Sequence, residues 1–377
     1  MGAAPLVSII VGSYNYGRFL REAIDSALGQ TYPRTEVIVV DDGSTDHSRA
    51  IMAEYRDRII PVLKENGGQA SAFNAGFAAS RGDVICFLDS DDSLFPDAMH
   101  EAVRLFRDGG GDLAKVQWPL QIVDEHGRKT GRVAPVHALS EGDLRQAVAH
   151  GGPGGYTWPP TSGNAWARAF LQTVFPIPEA PYRTCPDLYL CTLAPLFGAV
   201  RRVLQPQGVW RVHGSNNSWR EPFARRIENE LRRWEHCFGA ARRYGRRMGV
   251  DVDLERWKRL SWIHRIHRAA QELAALVPPA GTVILVDEDQ WVAGAAVYGR
   301  PRRHFLERDG QYWGPPPDDA TAIRELERLR AAGARHIVFA WPAFWWLEHY
   351  AGLHGHLCSR YRRVLGNSRV IVFDLSR

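Results

Sequence analysis

The sequence predicts an α/β fold built on a mainly parallel sheet, and three observations carry that prediction. Val84-Ile85-Cys86-Phe87-Leu88 is an apolar run that ends abruptly in Asp89-Ser90-Asp91-Asp92. A strand buried on both faces reads as such a run. From residue 7 to residue 92, short apolar runs alternate with stretches of helical spacing, which is the pattern of βαβ units and a parallel sheet. A second run, Glu36-Val37-Ile38-Val39-Val40, also ends in acids, Asp41-Asp42. Two strands thus deliver carboxylates to one rim, and open α/β sheets bind ligands outside the carboxyl ends of their strands.

Each element follows in order. Val7–Val11 is a strand that leads into Gly12-Ser13-Tyr14-Asn15-Tyr16. A helix is predicted next, from apolar Leu20, Ala23, Ile24, Ala27 and Leu28. After the Glu36–Val40 strand, Gly43 permits a tight turn and Ser44 or Asp46 can cap a helix. Ile59–Leu63 is a third strand, followed by Glu65-Asn66-Gly67-Gly68-Gln69 and a helix over Ala70–Ala79. The chain then returns to the strand at Val84. Carboxylates as crowded as Asp89, Asp91 and Asp92 repel one another, and a bound cation relieves them. Mg²⁺ or Mn²⁺ held by one or two carboxylates completes its shell with substrate phosphates. The alternative is a solvated acidic turn capping a helix that starts near Pro96.

These residues resemble the family 2 glycosyltransferases. The matching pieces are Val7–Val11 with Ser13-Tyr14-Asn15, Asp41-Asp42-Gly43-Ser44-Thr45-Asp46, Asn66-Gly67-Gly68, Asn74-Ala75-Gly76 with Arg81-Gly82-Asp83, and Asp89-Ser90-Asp91-Asp92. They stand in the family's order and spacing, and the likeness continues more loosely to about Ser218. The resemblance implies a GT-A fold, the nucleotide-diphospho-sugar transferase fold. It makes Asp41 and Asp42 readers of the nucleoside base and ribose, with Ser13, Asn15, Asn66 and Gly68 lining the pocket. It makes Asp91 the direct metal ligand and Asp89 a ligand nearer the ribose, with Ser90 in the same turn and Asp92 supporting it. Arg81 either adds positive charge or braces its loop.

The next segments extend the likeness. Thr161-Ser162-Gly163 lies in a Gly/Pro-rich stretch suited to a loop over the rim; in similar enzymes that loop lines the acceptor side. Asp187, in Cys185-Pro186-Asp187, opens an apolar helix and is either its N-cap or, as the family implies, the general base. Many family members carry Glu-Asp there, whereas this chain carries Pro-Asp. Val209–Ser218 resembles the closing strand and loop. His213 would bind the metal or diphosphate, Asn216 and Ser218 the phosphates, and Arg211 is a further diphosphate contact.

The implied reaction is direct displacement with inversion, in a metal-dependent single transfer from a nucleotide-diphospho-sugar, UDP-linked by default, to an acceptor hydroxyl. The acceptor would be a carbohydrate, glycolipid or glycoconjugate, in glycan or cell-surface polysaccharide biosynthesis. Two alternatives are a silent nucleotide-sugar-binding scaffold and a nucleotidyltransferase. The latter would carry a Gly-rich phosphate loop where Gly12–Arg18 stands.

Length and composition bound the rest. With 377 residues, 45% of them hydrophobic, and net charge +5, the chain has ample core for one to three domains. Five scattered cysteines form no CxxC pair, which fits reduced thiols in a cytoplasmic setting. No run approaches a membrane span and the N-terminus lacks a leader pattern. A cytoplasmic enzyme is therefore expected, with room for peripheral contact at the inner membrane face and for a homodimer. Residues 1–220 are expected to form the GT-A domain. Residues 221–277 read as a helical basic region with arginine pairs from Arg225 to Arg247. Its aromatic interleaving suits a solvated helical face or an anionic surface; nucleic acid is not expected. After Pro278-Pro279, residues 278–377 restart the α/β alternation as a small Rossmann-like module without GxGxxG. In it, Asp287-Glu288-Asp289 closes a strand as ligand groups or as caps. Trp341, Phe344, Trp345 and Trp346 fill a core or interface, or stack on a sugar.

Overall fold

The computed structural model describes residues 4–214, 223–291, 296–297, 299–308 and 311–376. The chain divides into two compact units. Unit 1 holds Met1–Trp219 and Arg232–Trp257, and unit 2 holds Arg220–Leu231 and Lys258–Arg377.

Unit 1 runs β1 (Val7–Ser13), α1 (Gly17–Leu28), β2 (Thr35–Asp42), α2 (Ser48–Glu54), β3 (Ile60–Lys64), α3 (Gln69–Ala79) and β4 (Val84–Asp89). It continues through β5 (Ser93–Leu94), α4 (Ala98–Asp108), β6 (Leu113–Gln117), β7 (Leu120–Val123), β8 (Lys129–Ala134), α5 (Arg145–Gly151) and β9 (Asn164–Ala167). It closes with α6 (Arg168–Val174), α7 (Pro186–Phe197), β10 (Ala199–Arg202) and β11 (Gly208–Arg211). The main sheet has the order β10-β6-β9-β4-β1-β2-β3. Its strands are parallel except for β9, which pairs antiparallel with both β4 and β6. A smaller sheet, β5-β11-β7-β8, stands apart from it.

Why the apolar runs are continuous is visible in the packing. Alternate residues of each strand enter different cores. Ile10, Ile38, Val40, Ile85 and Phe87 face one helical layer, while Ile9, Val11, Val37, Val39, Cys86 and Leu88 face the other. Phe87 stacks on Phe73 of α3 with ring centroids 4.0 Å apart. Each such fully buried side chain contributes about 1.5–3 kcal/mol. Register then fixes the rim: Gly12 pairs with Asp89 on one side of β1, and Ser13 pairs with Asp41 on the other. The acids of β2 and β4 thus share one edge, separated by about two strand spacings, ~10 Å.

The basic helices α8 (Phe223–Arg247), α9 (Leu254–Leu260) and α10 (Trp262–Leu276) follow. They do not form a third body, because the unit boundaries fall within α8 and α9. Phe238, Tyr244 and Trp257 are buried in the unit 1 core, and Trp234 packs against it. Arg225, Arg232, Arg242, Arg243, Arg246 and Arg247 remain exposed. The interleaved aromatics therefore serve packing. No helix among the described residues is long and apolar enough to cross a membrane.

Unit 2 adds β12 (Thr282–Val286), β13 (Ala296–Val297), β14 (Arg300–His304), the short pair β15 (Glu307–Arg308) and β16 (Gln311–Tyr312), α11 (Asp319–Ala331) and β17 (Ala334–Ala340). It ends with α12 (Trp346–His349), α13 (Ala351–Arg360), β18 (Arg362–Gly366) and β19 (Val370–Asp374). The sheet order is β13-β14-β12-β17-β19-β18. Only its centre is parallel, since β19 runs antiparallel to both β17 and β18. Asp318 caps α11 through the Thr321 N–H at 2.6 Å. The helix expected across 344–361 is broken into α12 and α13. Asp319 accepts the Leu353 N–H at 2.8 Å and so caps a second start.

Candidate active site

The acid turn after β4 is held from several directions. Ser162 donates to Asp92 Oδ2 at 2.6 Å and accepts the Asp89 N–H at 3.2 Å. The Arg211 backbone N–H donates to Asp92 Oδ1 at 3.0 Å. Burial pushes the Asp92 carboxyl well above its usual range, reinforced by Asp91 and Asp89. Asp89 is pushed up to about 8, first by burial and then by Asp91 and Asp187. The turn therefore concentrates negative charge at a cost that a cation would offset. His213 completes it. Its Nε2 stands 3.1 Å from Asp91 Oδ2, its Nδ1 stands 3.2 Å from Arg18, and its ring packs beside Tyr16 and Phe19.

On the β2 side the two neighbouring acids behave differently. Asp42 accepts Lys64 Nζ at 2.6 Å, the Gly67 N–H at 3.0 Å, Asn66 Nδ2 at 3.1 Å and the Gly68 N–H at 2.7 Å. That uses its roughly four lone-pair sites, so it organises the 64–68 loop. Asp41 accepts Arg49 Nε at 2.7 Å and the Ser44 N–H at 3.2 Å through Oδ2. Its Oδ1 is buried without a partner, as is the hydroxyl of Ser13, its register mate. An open cleft of about 460 Å³ is lined by Gly43, Arg49, Leu63, Lys64, Glu65 and Asn66. Gly43 is required there: φ is +82°, and a Cβ would meet the Asn66 N at 2.6 Å.

Asp187 lies in the first turn of α7, not at its N-cap, which is Cys185. Burial raises its pKa; the Leu188 N–H, at 3.0 Å, and the cation of Lys115 oppose that shift. The Thr161 hydroxyl favours the charged forms of both Asp89 and Asp187. Gln69 ties the rim to this helix, donating to Asp89 Oδ1 at 2.9 Å and accepting the Cys185 N–H at 3.0 Å. Lys115 of β6 is fully buried, with Nζ 3.3 Å from Cys191 Sγ and 3.5 Å from the Tyr156 hydroxyl.

Several expected residues are placed elsewhere. Arg81 lies at the amino end of β4, opposite the rim, and brackets Glu36 at 2.9 and 3.0 Å; it braces its loop. Arg211 is buried and directs its guanidinium to Glu22 at 2.6 Å and the Asp91 carbonyl at 3.0 Å, so it supports the acid turn. Asn15 spends its side-chain oxygen on the Thr45 N–H at 2.8 Å, joining two loops. Ser90 and Gly163 are buried, and the Gly163 carbonyl anchors the Trp118 N–H. Asn216 and Ser218 lie outside the described residues. Arg49, Lys64 and Lys115 escaped the sequence reading, as did the bridge that Gln69 makes between Asp89 and Cys185. The cation within the apolar strand 113–117 was the one available signal for Lys115.

Residues 8–157 match the family model described as glycosyl transferase family 2. Residues 8–157 thus form a glycosyltransferase family 2 segment within the chain. An uncharacterized glycosyltransferase of Nostoc sp. (strain PCC 7120) is 35% identical over 215 residues, 56% of this chain and 66% of the relative. An uncharacterized glycosyltransferase of Rickettsia prowazekii is 36% identical over 141 residues, 37% of this chain and 44% of the relative. The chain thus spans between about half and two thirds of these relatives. A solved mannosyltransferase from Pyrobaculum calidifontis, in complex with GDP-Man and Mn²⁺, is 20% identical, covering 73% of this chain and 77% of that one with a TM-score of 0.47.

A divalent cation, which the family implies, fits the donor set at the β4 rim. Asp91 Oδ2 and His213 Nε2 are 3.1 Å apart beside the crowded Asp89 and Asp92. Among the described residues no group of three or more His, Cys, Asp or Glu is assembled for a metal. Two protein ligands with the rest supplied by phosphate and water suit Mg²⁺ or Mn²⁺. Asp89, whose Oδ1 is turned to Gln69, is the less direct of the three expected ligands.

Proposed function

We propose that this chain transfers a sugar from a nucleoside diphosphate sugar, UDP-linked by default, to an acceptor hydroxyl of a carbohydrate, glycolipid or glycoconjugate, with inversion and one transfer per encounter. The observation that carries this reading is the bridge by which Gln69 joins Asp89 to Cys185 at the start of the Asp187 helix, on the rim that also holds the Ser13–Asp41 pair. Asp41 Oδ1 would accept from a base N–H, and Ser13 offers a hydroxyl beside it. Asp187 takes the proton of the acceptor hydroxyl while the new C–O bond forms at the anomeric carbon and the bond to the diphosphate breaks. Burial makes its carboxylate a stronger base, and Lys115 keeps that carboxylate charged. Asp91 and His213 would hold the divalent cation, which when bound supplies positive charge against the departing diphosphate.

The test combines a thermal-shift series of UDP, GDP and dTDP, with and without Mn²⁺, and product analysis by NMR. Stabilisation by one diphosphate with the metal, and a product of inverted anomeric configuration, are expected. Release of pyrophosphate would replace this reading with nucleotidyl transfer. Nucleotide binding with no transfer to any acceptor would favour a scaffold.

A further inference from the structure

The carboxyl rim of the unit 2 sheet carries a second cluster of polar groups. β12 runs directly into Asp287-Glu288-Asp289, with β14 on one side and β17 on the other. The chain leaves β12 toward β14 and later returns on the opposite side as β17. Such a reversal of strand order is where open α/β sheets form ligand crevices. Glu288 and Asp289 both adopt left-handed backbone, φ 55° and 57°, which residues other than glycine keep only when their surroundings hold them there.

The inside of the cluster is incompletely paired. The Arg302 side chain is only 4% exposed, yet its Nε and Nη1 have no hydrogen-bond acceptor among the described residues. Nη1 stands 3.7 Å from Asp287 Oδ2, and Nη2 stands 3.6 Å from Asp289 Oδ1 and 3.0 Å from His304 Nε2. His304 Nδ1, also without a hydrogen bond, is 3.7 Å from the same Asp289 oxygen. These gaps exceed direct hydrogen bonds, but one oxygen can lie about 2.8 Å from both members of such a pair. A hydroxyl both donates and accepts, so it can bridge a carboxylate and a cationic or imidazole nitrogen together. Three carboxylates disfavour a phosphate. Among the described residues no three ligating groups assemble for a metal. An apolar platform stands at the edge: Trp345 is 40% exposed, and its indole N–H donates to Glu288 Oε1 at 2.7 Å.

We propose that this rim is a second carbohydrate site, separate from the transfer reaction. A neutral pyranose would place hydroxyls on Asp289 and His304, with Arg302 holding both from below, and lay a ring face on Trp345. Saturation-transfer NMR on the full chain, without nucleotide or metal, tests it with the methyl glycosides of glucose, galactose, mannose and N-acetylglucosamine. At least one glycoside should bind at millimolar concentration, and bind equally to Asp187→Asn. Binding should weaken about tenfold in Trp345→Ala and in Asp289→Asn; Asp289 is half exposed, so the second variant keeps its fold. No binding of any glycoside, or binding that survives both substitutions, would overturn the proposal. Neither result depends on whether unit 1 transfers a sugar, so the two readings fail separately.

Discussion

Asp187 and Cys191 lie one turn apart on α7, and the Lys115 ammonium reaches Cys191. Replacing the carboxylate by Asp187→Asn should lower kcat by about 10²–10⁴-fold, with nucleoside diphosphate binding retained by calorimetry. Lys115→Met tests the neighbouring cation. Without it the Asp187 carboxyl rises further, so the acid limb of the kcat–pH profile should move to higher pH. Lys115 itself is held below its usual range by burial. The unfolded chain then binds its proton more readily, so stability rises as pH approaches the unfolded value of about 10.4. The methionine variant should lose that alkaline gain in denaturant melts. The acids were legible because a run of strand residues ending in carboxylates is a local pattern. The Gln69 bridge and the role of Lys115 were not, because their partners are contributed by segments remote in sequence. The distinction between Asp41 and Asp42 likewise depends on the 64–68 loop folding back.

Parallel strands buried on both faces announce themselves, and β1, β2 and β4 were placed to within one or two residues. Exposed or basic strands do not. The residues of β8, Lys129–Ala134, are largely exposed, and β14 reads Arg-Pro-Arg-Arg-His, as a basic loop would. Their strand identity is set by pairing across the chain rather than by their own periodicity. β9, which breaks the parallel order, is four residues long and follows a 3₁₀ turn. The loop after β2 makes a prediction at this scale. Gly43→Ala forces a side chain into left-handed backbone against the Asn66 amide. It should cost about 1–3 kcal/mol in a urea melt and weaken nucleotide binding in the same protein. An unchanged midpoint would mean that the loop relaxes freely.

For the molecule as a whole, Pro278-Pro279 suggested a boundary, but the division falls inside α8 and α9, where no proline or glycine marks it. Unit 2 has an identifiable acid weakness. Tyr361, His356 and Arg330 hydrogen-bond Glu327 and hold its carboxyl down to about 2 against the burial that would raise it. Its contribution is present above the unfolded value of about 4.3. It is lost as pH falls toward 2, because the unfolded chain takes up the proton first. Glu327→Gln should flatten the acid arm of the unit 2 melting curve, followed through the near-ultraviolet signal of its tryptophans.

The saturated carboxylate of Asp42 has a consequence for how donors are told apart. A wall cross-linked at every oxygen is set during folding, so a ligand arriving at it immobilises little chain and loses little affinity to ordering. Such a wall also yields little to a base of the wrong outline. Altered nucleotide preference should therefore come from exchanging the side chains that project from it, Arg49 or Lys64, while any change at Asp42 itself would slacken the surface and blur discrimination among all bases alike.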